Sequence, residues 1–296
     1  MPELPEVETV RRGLAPTLVN RSIEAVDLRR PDLRFPFPSR FVDRLVGTRI
    51  EALDRRAKYL LARLSSGEVL VMHLGMSGRF WLSGAVPKGE TSGAGSVGEA
   101  GRAHQITQLN PAHDHVVFRL SGGIELVFHD PRRFGFMDIA SGLDIGAHKF
   151  FRHLGVEPLG ADFTAAYLTE RFKGRRTPIK AALLDQTVIV GIGNIYACEA
   201  LYRARVSPRR QAATIGPKRA ERLVPAIKSV LQEAIEAGGS SLRDFAGADG
   251  EMGYFQHRFE VYGRGGEACL RGGCAGGVRR IVQSGRSSFY CPTCQR

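Results

Sequence analysis

After its opening segment, the spacing of apolar residues in this chain changes character near residue 144, and that change limits what the chain can fold into. Before it, apolar residues come in short runs paired across tight turns. KYLLARL (58–64) and EVLVMHL (68–74) flank Ser65-Ser66-Gly67, and HVVFRL (115–120) and IELVFHD (124–130) flank Ser121-Gly122-Gly123. Each pair is a β-hairpin pattern. EVLVMHL is apolar at both alternating sets of positions, so it should be buried on both faces, as in a sandwich. SIEAVDLR (22–29) reads as extended, and RRPDLRFPFPSR (29–40) as a Pro- and Arg-rich connection. Beyond residue 144 the period is helical in DIGAHKFFRHLG (144–155), AAYLTERFKG (165–174), PIKAALLDQ (178–186), NIYACEALYRA (194–204) and KRAERLVPAIKSVLQEAIEAG (218–238). A chain of 296 residues with 43% hydrophobic content can furnish two cores. The expectation is an α+β protein with a β-rich half, a helical half and a short cysteine-containing tail.

The formal charge of +12 suits a polyanionic partner, nucleic acid first and an anionic membrane surface second. No run of eighteen apolar residues is present, and no apolar signal core opens the chain, so a cytoplasmic location is expected. No basic amphipathic helix for a membrane surface stands out. Gly84 to Ala112 is rich in Gly, Ser and small polar residues and reads as a flexible insertion.

Four of the five cysteines, Cys269, Cys274, Cys291 and Cys294, lie in the last twenty-eight residues. In a cytosolic chain such clustering reads as metal binding, and four thiolates would bind one structural zinc ion tetrahedrally, with no open position for water. The second pair has the C-x2-C spacing of a zinc knuckle; the first is C-x4-C. Cys198, inside a helical pattern, reads as a packed core thiol.

The amino terminus carries the strongest chemical signal. MPELPEVETVRRGL has a small residue after Met1, so removal of the methionine is expected, leaving Pro2 with a free secondary amine. An α-amino group titrates near 7.7–8.0, so a useful fraction is neutral near pH 7. Such an amine attacking a sugar C1′ yields an iminium electron sink. Glu3 and, one turn on, Glu6 are carboxylates available for proton transfer beside it. Taken alone, the same residues also suit an ordinary helix start, and Val7, Val10, Leu14 and Leu18 make the segment amphipathic either way.

The string MPELPEVET resembles the amino terminus of the formamidopyrimidine-DNA glycosylase family, the bacterial 8-oxoguanine repair glycosylases, in which the terminal proline is the nucleophile. The resemblance extends over most of the chain and lacks a counterpart only for the Gly84 to Ala112 insertion. It implies a β-sandwich catalytic domain at 2–143 that includes the amino-terminal helix, a linker region at 144–160, a helix–two-turn–helix domain at 161–258 and a zinc finger at 259–296. It assigns Lys58 in RRAKYLL to a hairpin loop that reaches DNA and assists elimination. His73 in HLGMSG would grip the backbone. Met76 would enter the gap left by an extruded base, with Arg132 and Phe134 of DPRRFG, where the arginine pairs with the orphaned base and the ring stacks. Arg133 would touch a phosphate, and His113 and Arg176 match DNA-contacting positions. In QTVIVGIGNIYACEALY, Gly191 and Gly193 allow a tight turn and Asn194 caps a helix whose start seats a phosphate. GADGEMGYF (247–255) resembles a mobile loop over the extruded purine. In the tail, VRRIVQSGRSSFYC reads as a β-hairpin with a basic tip, and Arg286 matches the finger arginine beside the lesion. The family's first knuckle is C-x2-C, so C-x4-C here lengthens one knuckle and keeps all four ligands.

The implied function is a bifunctional glycosylase and AP lyase, working as a monomer on double-stranded DNA that contains oxidised purines or abasic sites. The alternatives are an endonuclease VIII-like enzyme for oxidised pyrimidines, whose opening usually reads Pro-Glu-Gly where this chain has Leu4 after Glu3, and a non-catalytic zinc-finger DNA-binding protein.

Overall fold

The structure, a computed structural model, describes residues 1–84, 110–240 and 253–296. Most of the insertion expected at 84–112 and most of the loop expected at 247–255 lie outside the described residues. Two compact units form, Met1–Arg152 with Gly238–Tyr254, and His153–Ala237 with Phe255–Arg296.

The first unit opens with α1 (Leu4–Leu18), whose Val7, Val10, Leu14 and Leu18 are all buried, as their spacing requires. Eight strands follow: β1 (Ile23–Leu28), β2 (Ile50–Arg56), β3 (Tyr59–Leu64), β4 (Glu68–His73), β5 (Arg79–Gly84), β6 (Asp114–Leu120), β7 (Ile124–His129) and β8 (Phe136–Ser141). A short α2 (Phe41–Leu45), which nothing in the sequence signalled, precedes β2. The strands make two antiparallel four-stranded sheets, ordered β1-β6-β7-β5 and β2-β3-β4-β8. One apolar core takes Phe80, Val116, Phe118 and Phe128 from the first sheet, Leu53, Leu60, Leu70 and Met72 from the second, and the inner face of α1. Both hairpins expected from the sequence are present, β3 with β4 and β6 with β7. Val69 to Met72 of β4 are buried without alternation, as a strand covered on both faces must be.

The chain changes sheet twice at one end of this sandwich. Residues 74–78 carry it from β4 to β5, and residues 130–135 from β7 to β8. Because β4 pairs with β8 at His73↔Phe136 and β5 pairs with β7 at Arg79↔His129, the two corners lie side by side.

The helix expected over 144–155 does not form. Only Ile145–Ala147 makes a 3-10 turn, closed by the Asp144 side chain accepting from the Ala147 amide. The aromatic residues after it serve packing instead: Phe150 lies with its ring centroid 4.6 Å from that of Phe136, and Phe151 sits edge-on to Tyr59.

The second unit holds α3 (Ala165–Phe172), α4 (Ile179–Leu183), α5 (Asn194–Arg203) and α6 (Pro217–Glu236), followed by the hairpin β9 (Arg279–Gln283) and β10 (Arg286–Tyr290). Thr164 caps α3 by accepting from the Tyr167 amide. The helices enclose Phe172, Ile179, Leu201, Leu223 and Leu231 in a separate core. Residues 154–160, the end of the stretch expected as a linker at 144–160, are fastened to this unit. Val156 bridges Ile189, and the Gly160 carbonyl accepts from Lys228 Nζ.

Candidate active site and nucleic-acid interface

Pro2, Glu3 and Glu6 are all buried at the start of α1. The Glu6 carboxylate accepts from the Glu3 amide at 2.8 Å with one oxygen, and from the Ser240 amide and hydroxyl at 2.9 and 3.0 Å with the other. Gly239, at φ +79°, presses against this carboxylate; a Cβ there would lie 3.2 Å from its Oε1. The opening of the chain is thus held from a segment more than two hundred residues later, and Glu6 keeps Glu3 in place.

Only 7% of Lys58 is accessible. It follows Ala57, which takes φ +53°, in the tight β2–β3 turn. That turn is tied to α1 by ions. Arg55 donates to Glu8 at 3.2 Å and to the Ala57 carbonyl at 3.0 Å, and Arg11 joins Glu8 to the Leu53 carbonyl. Burial alone would raise the Glu8 carboxyl, but hydrogen bonds from Arg11 and Arg12 and the charge of Arg55 bring it below the usual range. Lys58 and the opening carboxylates therefore share one helix as their scaffold.

His73 ends β4 with its ring stacked on Phe136, 5.0 Å between centroids. Its Nδ1 accepts from the Gly75 amide at 3.0 Å, which leaves the proton on Nε2. Burial, the Lys58 charge and the Arg34 charge together lower its pKa to about 4. At neutral pH it is a neutral imidazole presenting one N–H donor.

The two corners bring Met76, Arg132, Arg133 and Phe134 together. Met76 is half-buried, the other three are exposed, and the Arg132 guanidinium lies 4.8 Å from the Phe134 ring centroid. Arg133 takes φ +55°. Beneath them Asp130, fully buried, accepts from the Ser77 hydroxyl at 2.6 Å and from the Gly135 amide at 2.7 Å. His113 is half-buried; its carbonyl accepts from the Asp130 amide and its ring meets His129 edge-on.

On the second unit, Gly193 and not Asn194 caps α5. Gly193 has extended φ and ψ, so Asn194 becomes the first helical residue and its side chain turns away from the helix end. Its Nδ2 donates to the Ser287 carbonyl at 3.0 Å. Lys180 is 1% exposed and donates to the same carbonyl at 2.7 Å and to Ser288 Oγ at 2.8 Å. Arg286, exposed, stands one residue before, at the hairpin tip, where Ser284 and Gly285 both adopt positive φ. Arg176 is exposed before α4, and its neighbour Arg175 is held by Asp185.

The four tail cysteines place their sulfurs within 4.8 Å of one another, with Cys269–Cys294 at 3.9 Å and Cys274–Cys291 at 3.7 Å. Four thiolates around one tetrahedral ion with bonds of about 2.3 Å stand about 3.8 Å apart, so this cage could hold a metal ion. The longer first knuckle reaches the same geometry through a turn in which the Cys274 amide donates to the Arg271 carbonyl and Gly273 takes φ +72°. Cys198 is buried beside the cage.

Sequence models of the formamidopyrimidine-DNA glycosylase N-terminal domain and H2TH domain match residues 1–137 and 154–246. Formamidopyrimidine-DNA glycosylases of Ruegeria pomeroyi and Beijerinckia indica are each 56% identical to the chain, which covers the full length of both, as they cover it. This chain belongs to the formamidopyrimidine-DNA glycosylase family. The crystal structure of MutM (Fpg) from Thermus thermophilus is 40% identical and superposes with a TM-score of 0.81 over 99% of this chain and 98% of that one. A Lactococcus lactis Fpg variant in complex with Fapy-dG-containing DNA is 30% identical, with a TM-score of 0.82 and full coverage of both chains.

Within this formamidopyrimidine-DNA glycosylase fold, the first unit gathers Pro2, Glu3, Glu6, Lys58, His73, Met76, His113, Arg132, Arg133 and Phe134, and the second holds Arg176, Asn194, Arg286 and the cysteines. Four supporting residues, Ser77 among them, were missed from the sequence. Ser240 lies in a Gly-Gly-Ser stretch that looks like any turn. Asp130 reads as the first residue of a loop. Lys180 had a usable signal, a lone lysine inside the apolar run of PIKAALLDQ. Among the described residues, no helix is long and apolar enough to cross a membrane.

Proposed function

We propose that the protein is a cytoplasmic, monomeric base-excision repair enzyme that releases oxidised purines, 8-oxoguanine and formamidopyrimidines, from double-stranded DNA and then cuts the abasic strand. The observation that carries this reading is the buried start of α1, where Pro2 and Glu3 are fixed by the Glu6–Ser240 clamp on the helix that also anchors the Lys58 turn.

With Met1 removed, the Pro2 nitrogen has a lone pair and a proton. It attacks C1′ of the damaged nucleotide, the glycosidic bond breaks with its electrons going to the base, and the base leaves protonated. The amine proton passes to the departing base, the protonated Glu3 carboxyl gives its proton to the ring oxygen as the sugar opens, and an iminium joins Pro2 to C1′. The iminium acidifies C2′. Loss of that proton expels the 3′ phosphate, and loss of the C4′ proton then expels the 5′ phosphate, with Lys58 and Arg286 assisting. Met76, Arg132 and Phe134 fill the space the extruded nucleotide leaves; extrusion costs a few kcal/mol, less for a poorly stacked lesion. His73 donates its Nε2 proton to a backbone phosphate, and Arg133, Arg176, His113 and the Asn194 turn add grip. One structural zinc ion in the Cys269, Cys274, Cys291 and Cys294 cage would hold the β9–β10 hairpin in shape.

Borohydride trapping with 8-oxoguanine opposite cytosine, followed by peptide mapping, tests this. The expected adduct is on Pro2, and a variant with one extra residue before Pro2 should give none while still binding abasic DNA. An adduct on a lysine, or cleavage by the extended variant, would overturn the assignment. A lesion panel that released oxidised pyrimidines faster than 8-oxoguanine would reverse the substrate choice.

A further inference from the structure

We propose that Asp130 and Ser77 form a latch that joins the two sheet-crossing corners into one rigid piece, so that Met76, Arg132 and Phe134 enter the duplex together; this rests on the reading of those three as the gap-filling residues. The ladders leave the corners unsupported. Strand pairing stops at His73↔Phe136 on one side and Arg79↔His129 on the other, and nothing in either sheet spans the residues between. Side chains span them instead. Ser77, on the Met76 corner, donates to Asp130 Oδ1 at 2.6 Å and accepts from the Arg132 amide at 3.2 Å. Asp130, on the other corner, uses its second oxygen to accept from the Gly135 amide at 2.7 Å, the residue after Phe134. Its backbone is fixed too: the amide donates to the His113 carbonyl, and the carbonyl accepts from the Arg133 amide and meets the His115 ring at 2.9 Å.

A fully buried carboxylate between two exposed loops is costly to desolvate, and it holds here because both oxygens have donors. Those donors belong to the neighbours of the residues that must act. Met76 immediately precedes Ser77, the Arg132 amide bonds to Ser77, and Phe134 immediately precedes Gly135. A shift of either corner breaks a bond to the other. The corners also touch without slack, since a Cβ on Gly75 would lie 2.3 Å from the Phe134 carbonyl carbon. Ser77 and Asp130 are thus positioning residues, reaching DNA only through the three side chains above them.

The test is a cycle on the full-length protein: Ser77→Ala, the pair Met76→Ala with Arg132→Ala, and all three together, each assayed for excision of 8-oxoguanine opposite cytosine and opposite adenine. Ser77→Ala should slow excision opposite cytosine about tenfold and narrow the difference between the two opposite bases, because Arg132 loses its fixed backbone. Added to the Met76/Arg132 variant, the same change should cost less than about twofold, since the residues it positions are gone. A full additive loss in the triple variant would overturn the latch and leave Ser77 a purely structural residue. If the Met76/Arg132 variant excised at the wild-type rate, the gap-filling reading itself would fall, and that result is separable from failure of the latch. Asp130→Asn, assayed in the same cycle, must show the same coupling; independent behaviour of the two latch residues would also overturn the proposal.

Discussion

At the scale of single residues, this site works by fixing protonation and orientation before substrate arrives. His73 is the clearest case. Its ordinary pKa near 6.5 is lowered to about 4, chiefly by burial and then by the charges of Lys58 and Arg34. The folded protein therefore binds fewer protons than the unfolded chain between those two values, and stability falls as pH drops from about 6.5 towards 4, with no further loss from this group below that. His73→Asn should remove that portion of the acid sensitivity. Its unfolding free energy, measured by denaturant titration at pH 7 and pH 5, should change less between the two pH values than the wild type's. It should also weaken binding to abasic DNA, since Asn is shorter and unstacked from Phe136. Above pH 6.5 the wild-type affinity should not vary on account of His73, because the donor is already neutral.

At the scale of elements, what the sequence reveals depends on whether a structure is made locally. Both hairpins, α1 and the amphipathic face of α6 follow from period and turn residues alone. The start of α5 does not: Asn is a better capping residue than Gly by propensity, but the Asn194 side chain is drawn to the Ser287 carbonyl far along the chain. The segment 144–155 has helical period, yet its aromatic residues find partners on β3 and β8. The closeness of the four cysteines was legible from their clustering in the sequence, and Pro2 and Lys58 stand as candidates from short strings; Ser240, Ser77 and Asp130 gave no such signal, since each matters only for a partner brought close by the fold. The corners give a sharp test. Gly75 sits at φ +64° with the Phe134 and Gly135 backbone where a side chain would go, so Gly75→Ala must both strain the turn and part the corners. It should lower stability by at least about 2 kcal/mol, read as a drop in Tm. At the other end, Cys291→Ser removes a thiolate from a cage set in a small buried cluster with Tyr202, Val261 and Val278. The hairpin should loosen, metal should be lost on dialysis, and DNA affinity should fall, whereas unchanged metal content by elemental analysis would refute the four-thiolate site.

At the scale of the whole molecule, the excess of basic residues raises the question of whether binding energy comes from charge or from the inserted side chains. The formal charge of +12 attracts DNA at a distance but says little about the number of phosphates held. Two cationic groups of each unit, Lys58 and Arg133 of the first and Arg176 and Arg286 of the second, are the candidates for phosphate contact on this reading, with Arg132 reserved for a base edge. Each phosphate neutralised releases counterions and contributes about −0.9 to the slope of log affinity against log salt. Four such contacts give a slope of about −3.6, or a loss of about a hundredfold between 50 and 200 mM salt. Arg286→Ala should make that slope shallower by about 0.9, and Arg133→Ala likewise. Met76→Ala should lower affinity at every salt concentration and leave the slope unchanged, because a thioether releases no counterions. Fluorescence anisotropy on abasic duplex across that salt range separates the two. A slope near −1 in the wild type would mean that the basic surface is solvated rather than engaged, and a slope altered by Met76→Ala would mean that insertion of the wedge decides which phosphates the protein can reach.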